Sequence, residues 1–509
     1  MASTGEGLTS IIKTWLKDPA DSLGVEFHRA SGPEIEKHSR RSHGEWGDLL
    51  TEDEYVEREN TLRKTEAAQI GHQGWTLVKD GESLSGCETL EHRAFVLRPG
   101  KAEVESTLCH NIGTVFTPKE QRKGFGSTMM LHLAKALKDF VKRGGDTVKP
   151  DFSYLFSDIG QDFYAKNGWR VMDDRTFIQI RTELDRKNQF SGQCSPPWGA
   201  VTNIEVDFNH MASDCVNKTA SLKIIENLCA MDRKLLKQSL KDRQAKDGTK
   251  TYVAVQPTPE IFTWFWTREQ FTTETFKRDG KRDQVKKSPN VARRFALANY
   301  QEKPRPTIKG AVVTFSGRQS LGWILWSRMF YAPTTKDPRN PTEKGGPADA
   351  KPNFTLFILR IALNKEEIDK AARESEVATA IRAEVGVPGT GSDADKLTFI
   401  VSQLLLRKAY DQAHDWKMDQ IEIWRPKPLV VEAAKKMFGS LVREGTKEEA
   451  DIPSLNWHRK ETEKARKKVE NGPREGQDLK AFGKETKKTF ENATKHIEWV
   501  DCEKYCWGV

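Results

Sequence analysis

Asn111-Ile-Gly-Thr-Val-Phe-Thr117 runs through Pro118-Lys-Glu into Gln121-Arg-Lys-Gly-Phe-Gly126, and on into Ser127-Thr-Met-Met-Leu-His-Leu-Ala-Lys-Ala-Leu137. The first run is rich in β-formers and predicts a strand. The last carries apolar residues at helical spacing. Between them Gly124 and Gly126 predict a tight turn that opens a helix. The first N–H groups of a helix have no intrahelical partner, and the helix dipole favours an anion there. Glycines in such a turn remove the Cβ atoms that would hold a ligand off the backbone. The stretch is therefore a candidate phosphate cradle. Gln121, Arg122, Lys123, Gly124, Phe125 and Gly126 would supply N–H groups and charge, and Ser127 and Thr128 would add hydroxyls. It departs from both G-x-G-x-x-G and the Walker pattern, which disfavours dinucleotides and nucleoside triphosphates.

The spacing Q-x-x-G-x-G directly after a strand resembles the acetyl-CoA pyrophosphate loop of the GNAT N-acetyltransferases. A second stretch, Tyr154-Leu-Phe-Ser-Asp-Ile-Gly-Gln-Asp-Phe-Tyr164-Ala-Lys-Asn-Gly-Trp169, is similar to the other signature of that family: a short strand, then a helix ending in Phe-Tyr-x-x-x-Gly-aromatic. The two arrive in the family's order with a helix between them. The resemblance implies an α/β (α+β) chain whose mixed, mostly antiparallel sheet is flanked by helices.

It also implies a chemistry. Tyr164 would sit beside the thioester sulfur and protonate the departing thiolate. Val115, Phe116 and Thr117 would pair with the pantetheine arm like an added strand, and a backbone N–H of the same strand would meet the oxyanion. Gly113 marks a candidate bulge that opens the sheet. A lysine amine, with a pKa near 10.4, must lose a proton before it attacks. The expected base is His110, with Glu105 and Glu103 as alternatives.

A chain of 509 residues is too long for a single core. No run of eighteen apolar residues occurs, so no membrane span is expected. Seven scattered cysteines do not make a disulfide framework, and no metal-ligand pattern recurs, so a cytoplasmic setting without a metal is the expectation. The net charge of +9 suits a polyanionic coenzyme. The densest basic stretch, residues 277–287 and on to Arg294, is interrupted by acids and lacks interleaved aromatics, which argues against nucleic acid.

The organisation reads as residues 1–185 for the acetyltransferase unit with the acetyl-CoA site, 186–215 as linker, 216–456 as a degenerate acetyltransferase-like domain and 457–509 as a charged tail. Thr176 to Arg181 is expected as the last strand of the first unit. In the second, the strand-like runs 312–315, 322–326 and 354–362, the helix 396–416, the strand 421–426 and the helix 429–438 repeat the order seen in the first, but the glycine loop does not recur. Trp323, Trp326 and Trp424 are expected in its core.

The stretch Trp46-Gly-Asp-Leu-Leu-Thr-Glu-Asp-Glu-Tyr55-Val-Glu-Arg-Glu59, the glycine loop and Phe156-Ser-Asp-Ile-Gly160 are similar to the fungal L-lysine N6-acetyltransferases. That similarity implies acetyl transfer to a small primary amine, the side chain of L-lysine first. A protein or peptide lysine acetyltransferase and a non-catalytic acyl-CoA-binding scaffold are the alternatives.

Overall fold

The structure is a computed structural model. It describes residues 24–138, 150–183, 199–206, 220–280, 307–315, 319–331, 336–337, 340–344, 353–383, 391–448, 450–458, 484–485, 487–488, 492, 494–501, 503 and 506. The basic stretch beyond residue 280, most of the expected charged tail and the last three residues lie outside them.

Two mixed sheets carry the fold. In the first, β1 (Glu26–Arg29), β2 (His72–Lys79), β3 (Glu82–Leu97) and β4 (Glu105–Phe116) form an antiparallel meander, and β4 then pairs in parallel with β5 (Phe152–Ser157). A parallel neighbour needs a crossover, and the helix Phe125–Lys138 lies on it. β6 (Arg170–Val171) lies at the end of this sheet. The remaining strands are β7 (Thr176–Arg181), β8 (Gly199–Glu205), β9 (Thr251–Val255), β10 (Ile308–Phe315), β11 (Gln319–Tyr331), β12 (Lys336–Asp337), β13 (Asn340–Lys344), β14 (Asn353–Leu363), β15 (Gln420–Trp424), β16 (Val442–Thr446), β17 (Ile452–Trp457) and β18 (Ile497–Trp499). The second sheet runs β16-β7-β15-β14-β11-β10-β8, while β12 and β13 pair apart.

The second sheet repeats the central device of the first. β14 pairs in parallel with β15, and the helix Asp393–Asp415 is on the crossover between them. β14, β15 and the helix between them are thus arranged as β4, β5 and theirs are, and the two sheets exchange strands along the chain. β7 does not close the first sheet as expected; it pairs antiparallel with β15 and β16 in the second. β17 makes the reciprocal move and pairs antiparallel with β5 in the first. The expected linker also contains β8, which pairs with β10.

Burial follows from these layers. The Phe125–Lys138 helix lays Met129, Met130, Leu133 and Leu137 on one side of the first sheet. The Asp393–Asp415 helix covers the outer side of the second with Leu397, Val401, Leu405 and Ala409. A third cluster joins the inner sides: Leu90, Cys109 and Phe152 from the first sheet meet Trp323, Leu325, Phe357 and Trp424 from the second, with Phe262 and Trp266 of the helix Pro259–Gly280 among them. β14 is consequently buried on both faces, which explains its near-continuous apolar run Phe354-Thr-Leu-Phe-Ile-Leu. Arg360, in the same strand, reaches Asp232 at 2.6 and 2.8 Å and also pairs with Glu503. A buried guanidinium needs such partners.

Part of the expected tail is structural. β18 pairs with β9, and Trp499 packs its ring 4.7 Å from that of Tyr154. Ile497, Trp499, Val500 and Cys506 are the apolar anchors, few enough to be masked by the Lys/Glu-rich stretch before them.

Candidate active site

The site begins where β4 and β5 part. Their parallel register runs from Cys109↔Phe152 to Ile112↔Leu155. One residue later β4 breaks its register with β3: Glu88 faces Gly113 and Gly86 faces Phe116, so Cys87 alone opposes Thr114 and Val115. This is a bulge, with Thr114 in the left-handed region at φ 46°. Bulges bend a strand and re-aim its groups, which is the opening anticipated at Gly113.

His38 holds the bulge. Its Nε2 donates to the Thr114 carbonyl at 2.8 Å. Burial pushes the imidazole pKa down, so the ring stays neutral, with its proton on Nε2. The ring lies over Gly86, where any Cβ would fall 2.6 Å from Nδ1. His38→Ala is expected to remove about 1–3 kcal/mol of stability, the usual cost of orphaning a buried carbonyl. It should also speed amide hydrogen exchange across Thr114–Phe116. Unchanged exchange there would deny His38 the role of holding the bulge.

Beyond β4, a single 3-10 turn, Lys119–Gln121, leads to Gly124 at φ 98° and then to the helix Phe125–Lys138. No acidic residue stands in the first turn of that helix, so nothing on it competes with an anion. Arg122 is exposed beside the turn and its Nε donates to the Thr117 carbonyl at 3.2 Å; Lys123 is also exposed. A Cβ on Gly126 would sit 3.1 Å from Thr117 Oγ1 and 3.5 Å from the Phe163 ring. The Asn167 amide also donates to Ser127 Oγ at 3.4 Å. The two sequence motifs are therefore in contact. Thr128 is turned inward: its hydroxyl donates to the Gly124 carbonyl and is buried, so it fixes the turn instead of pointing outward.

A cleft open to solvent lies at the split. Asn111 to Val115 line one wall, and Leu155, Phe156 and Asp158 the facing one. Tyr164 opens onto it from the helix Asp162–Lys166, with its ring set edge-on against Phe163 at 4.9 Å. Burial raises the phenol pKa first, and the charge of Asp158 adds to this, so the hydroxyl keeps its proton.

None of the three expected bases lines this cleft. His110 is buried where β4 and β5 are still paired, opposite Ser153. Burial and neighbouring His92 lower its pKa to about 3, which makes it a poor proton acceptor at neutral pH. Glu105 and Glu103 lie toward the far end of β4; Glu105 pairs with Arg98, and Glu103 meets Lys241 at 3.3 Å. Position along the strand did not specify distance from the split.

Besides Asp158 and Tyr164, the titratable groups that line the cleft come from two other helices. Tyr55, Arg58, Glu59 and Leu62 form one face of the helix Glu52–Leu62. Trp264 and Arg268 are one turn apart on Pro259–Gly280, from the second half of the chain. The i, i+3, i+4, i+7 spacing of the first set was readable as a face; its direction was not. Among the described residues no group of three or more His, Cys, Asp or Glu side chains is placed to hold a metal ion. No described helix is long and apolar enough to cross a membrane.

Residues 218–471 match the family model described as LYC1 GNAT-like C-terminal domain. A lysine acetyltransferase of Yarrowia lipolytica is 36% identical over 165 residues, covering 29% of this chain and 41% of that protein. An uncharacterized protein of Saccharomyces cerevisiae is 24% identical over 277 residues, covering 48% of this chain and 64% of its own length. The matches thus span less than two thirds of these relatives. Among solved structures, a GCN5-related N-acetyltransferase from Anabaena variabilis aligns over 86% of this chain and 73% of its own, at a TM-score of 0.42 and 10% identity.

Proposed function

We propose that this GNAT-type protein, which resembles the fungal lysine acetyltransferases, transfers the acetyl group of acetyl-CoA to the side-chain amine of free L-lysine. The observation that carries the reading is the contact of two elements at one split in a sheet. A helix start free of acids, with a glycine in the left-handed region, stands beside the opening, and a buried, protonated tyrosine stands within it.

The parts would act as follows. The N–H groups from Gly124 to Gly126 hold the pyrophosphate, those of Gln121, Arg122 and Lys123 being engaged by the Pro118, Lys119 and Gln121 carbonyls, and the Arg122 and Lys123 side chains add charge. The freed edge of β4 at Val115–Thr117 takes the pantetheine arm. Glu59, directly or through water, accepts the proton of the incoming ammonium. The amine nitrogen bonds to the thioester carbonyl carbon, and a backbone N–H beyond the bulge meets the developing oxyanion. The C–S bond breaks, Tyr164 gives its proton to the thiolate, and the second proton shed by the nitrogen as it becomes an amide restores the phenol. A cytoplasmic setting belongs to the same reading, supported by Cys87, Cys109, Cys229 and Cys506 being free thiols.

The test is to incubate the full chain with acetyl-CoA and a panel of free amino acids, polyamines and lysine-containing peptides. Product masses and thiol release are then read together. Acetylation of free L-lysine ahead of the peptides is expected. Preferential acetylation of peptides would replace the acceptor by a protein, and coenzyme binding without thiol release would leave a scaffold.

A further inference from the structure

Asn111 stands on β4 just before the split, paired with Leu90 of β3 on one side and Tyr154 of β5 on the other. Side chains alternate along a strand. Asn111 therefore shares a face with Cys109, which belongs to the cluster between the two sheets, and not with Ile112, which packs with the Phe125–Lys138 helix. Leu62 and Trp264 belong to the same inner cluster and line the cleft. Asn111 lines it with them and is only 1% exposed.

One end of its amide is fixed. Nδ2 donates to the Cys506 carbonyl at 3.5 Å. A carbonyl can be met only by the NH2 end of an amide, so this contact leaves Oδ1 as the other end. Among the described residues, Oδ1 is shielded and has no hydrogen-bond partner. A buried acceptor is costly to leave unmet, and its complement is an N–H or O–H donor.

We propose that Asn111 is an acceptor-binding residue whose Oδ1 takes one N–H of the reacting nitrogen. The proposal rests on the acetyl-transfer reading and narrows it. A primary ammonium carries three protons on nitrogen. One passes to Glu59 before attack, and one is shed after the C–N bond forms and restores the Tyr164 phenol. The third remains as the amide N–H of the product, and this is the one that Asn111 holds throughout. Held there, the nitrogen keeps its lone pair aimed at the thioester carbon. A secondary amine has no third proton, and its extra carbon would stand against Oδ1. The substrate class is therefore primary amines, with N-alkylated ones excluded. A pantetheine amide offers an N–H of the same kind, but the edge proposed for that arm, Val115–Thr117, lies beyond the bulge.

Initial rates with L-lysine and N6-methyl-L-lysine, on wild type and Asn111→Leu, test this. Leucine keeps much of the bulk and removes the acceptor oxygen. Wild type should prefer L-lysine in kcat/KM by on the order of 10²-fold or more, as a site built to bond an N–H rejects the analogue that lacks it. Asn111→Leu should lower kcat/KM for L-lysine by roughly 10–10²-fold, the worth of one such bond, and leave N6-methyl-L-lysine nearly unchanged, so that the preference collapses. Equal losses for both amines would overturn the inference, because a merely structural role does not distinguish them. A wild type that acetylates both alike would overturn it with no variant needed. Acetyl-CoA affinity, measured by calorimetry, should be the same in both proteins. A loss in Asn111→Leu would move Oδ1 to the pantetheine arm and overturn its role toward the acceptor. Turnover of L-lysine by wild type without preference sinks Asn111's role alone, whereas no thiol release with either amine sinks the transfer reading beneath it.

Discussion

Replacing Gly124 with aspartate will abolish acetyl-CoA binding in a chain that still folds. Two effects add. At φ 98° the backbone of residue 124 lies where L side chains are strained, at a cost of order 1–2 kcal/mol. The larger effect is electrostatic. A carboxylate about 4 Å from a phosphate charge is repelled by about 4 kcal/mol at the effective dielectric of a partly exposed site, before the second phosphate is counted. Together these amount to at least a 10³-fold loss in affinity, beyond ordinary calorimetric detection. Gly124→Ala carries only the backbone strain and should bind more weakly than wild type but measurably. Normal affinity in the aspartate variant would remove the Gln121–Gly126 loop from the coenzyme site.

The second large effect falls on turnover. Tyr164→Phe keeps the ring that packs against Phe163 and deletes the hydroxyl proposed as the proton donor. A positioned general acid contributes 10²–10⁴-fold, so kcat should fall by roughly 10²-fold or more while acetyl-CoA affinity holds. An unchanged kcat would take Tyr164 out of the mechanism. The pH dependence carries a sign of its own. Burial raises the phenol pKa above its usual value, so the protonated form persists further into the alkaline range. Wild-type turnover should therefore show no loss from tyrosine ionisation up to about pH 10, the unperturbed value.

The central strands and both crossover helices were legible because each combines a strong period with a clear stop. Pro118 ends the strand and the Gly124–Gly126 turn opens the decisive helix, and Gly439 follows the helix Pro428–Phe438. The strand exchange was not legible. Thr176-Phe-Ile-Gln-Ile-Arg181 alternates equally well for either sheet, and only tertiary packing assigns β7 to one side and β17 to the other. The cleft-facing charges were hidden for a related reason. Arg58, Glu59 and Arg268 look like solvated helix residues until the second half closes over them. His110 failed as a base because a strand gives a residue's face, and not how far it lies from the point where two strands diverge.

The start of the corresponding helix in the second half is unsuited to an anion. The helix Asp393–Asp415, which occupies the place of Phe125–Lys138 in the other sheet, starts with a closed capping box. Ser392 Oγ accepts from the Asp395 N–H at 3.2 Å, and the Asp395 carboxylate accepts from the Ser392 N–H at 3.0 Å. Its own side chains satisfy those donors, and Asp393 and Asp395 place negative charge where a phosphate would lie. Among the described residues, the proposed coenzyme site at Gln121–Gly126 thus has no counterpart at the start of the Asp393–Asp415 helix.

Calorimetric titration of acetyl-CoA into the full-length wild-type chain tests this most directly. One equivalent bound per chain is the expected result. Two equivalents, or none, would contradict it.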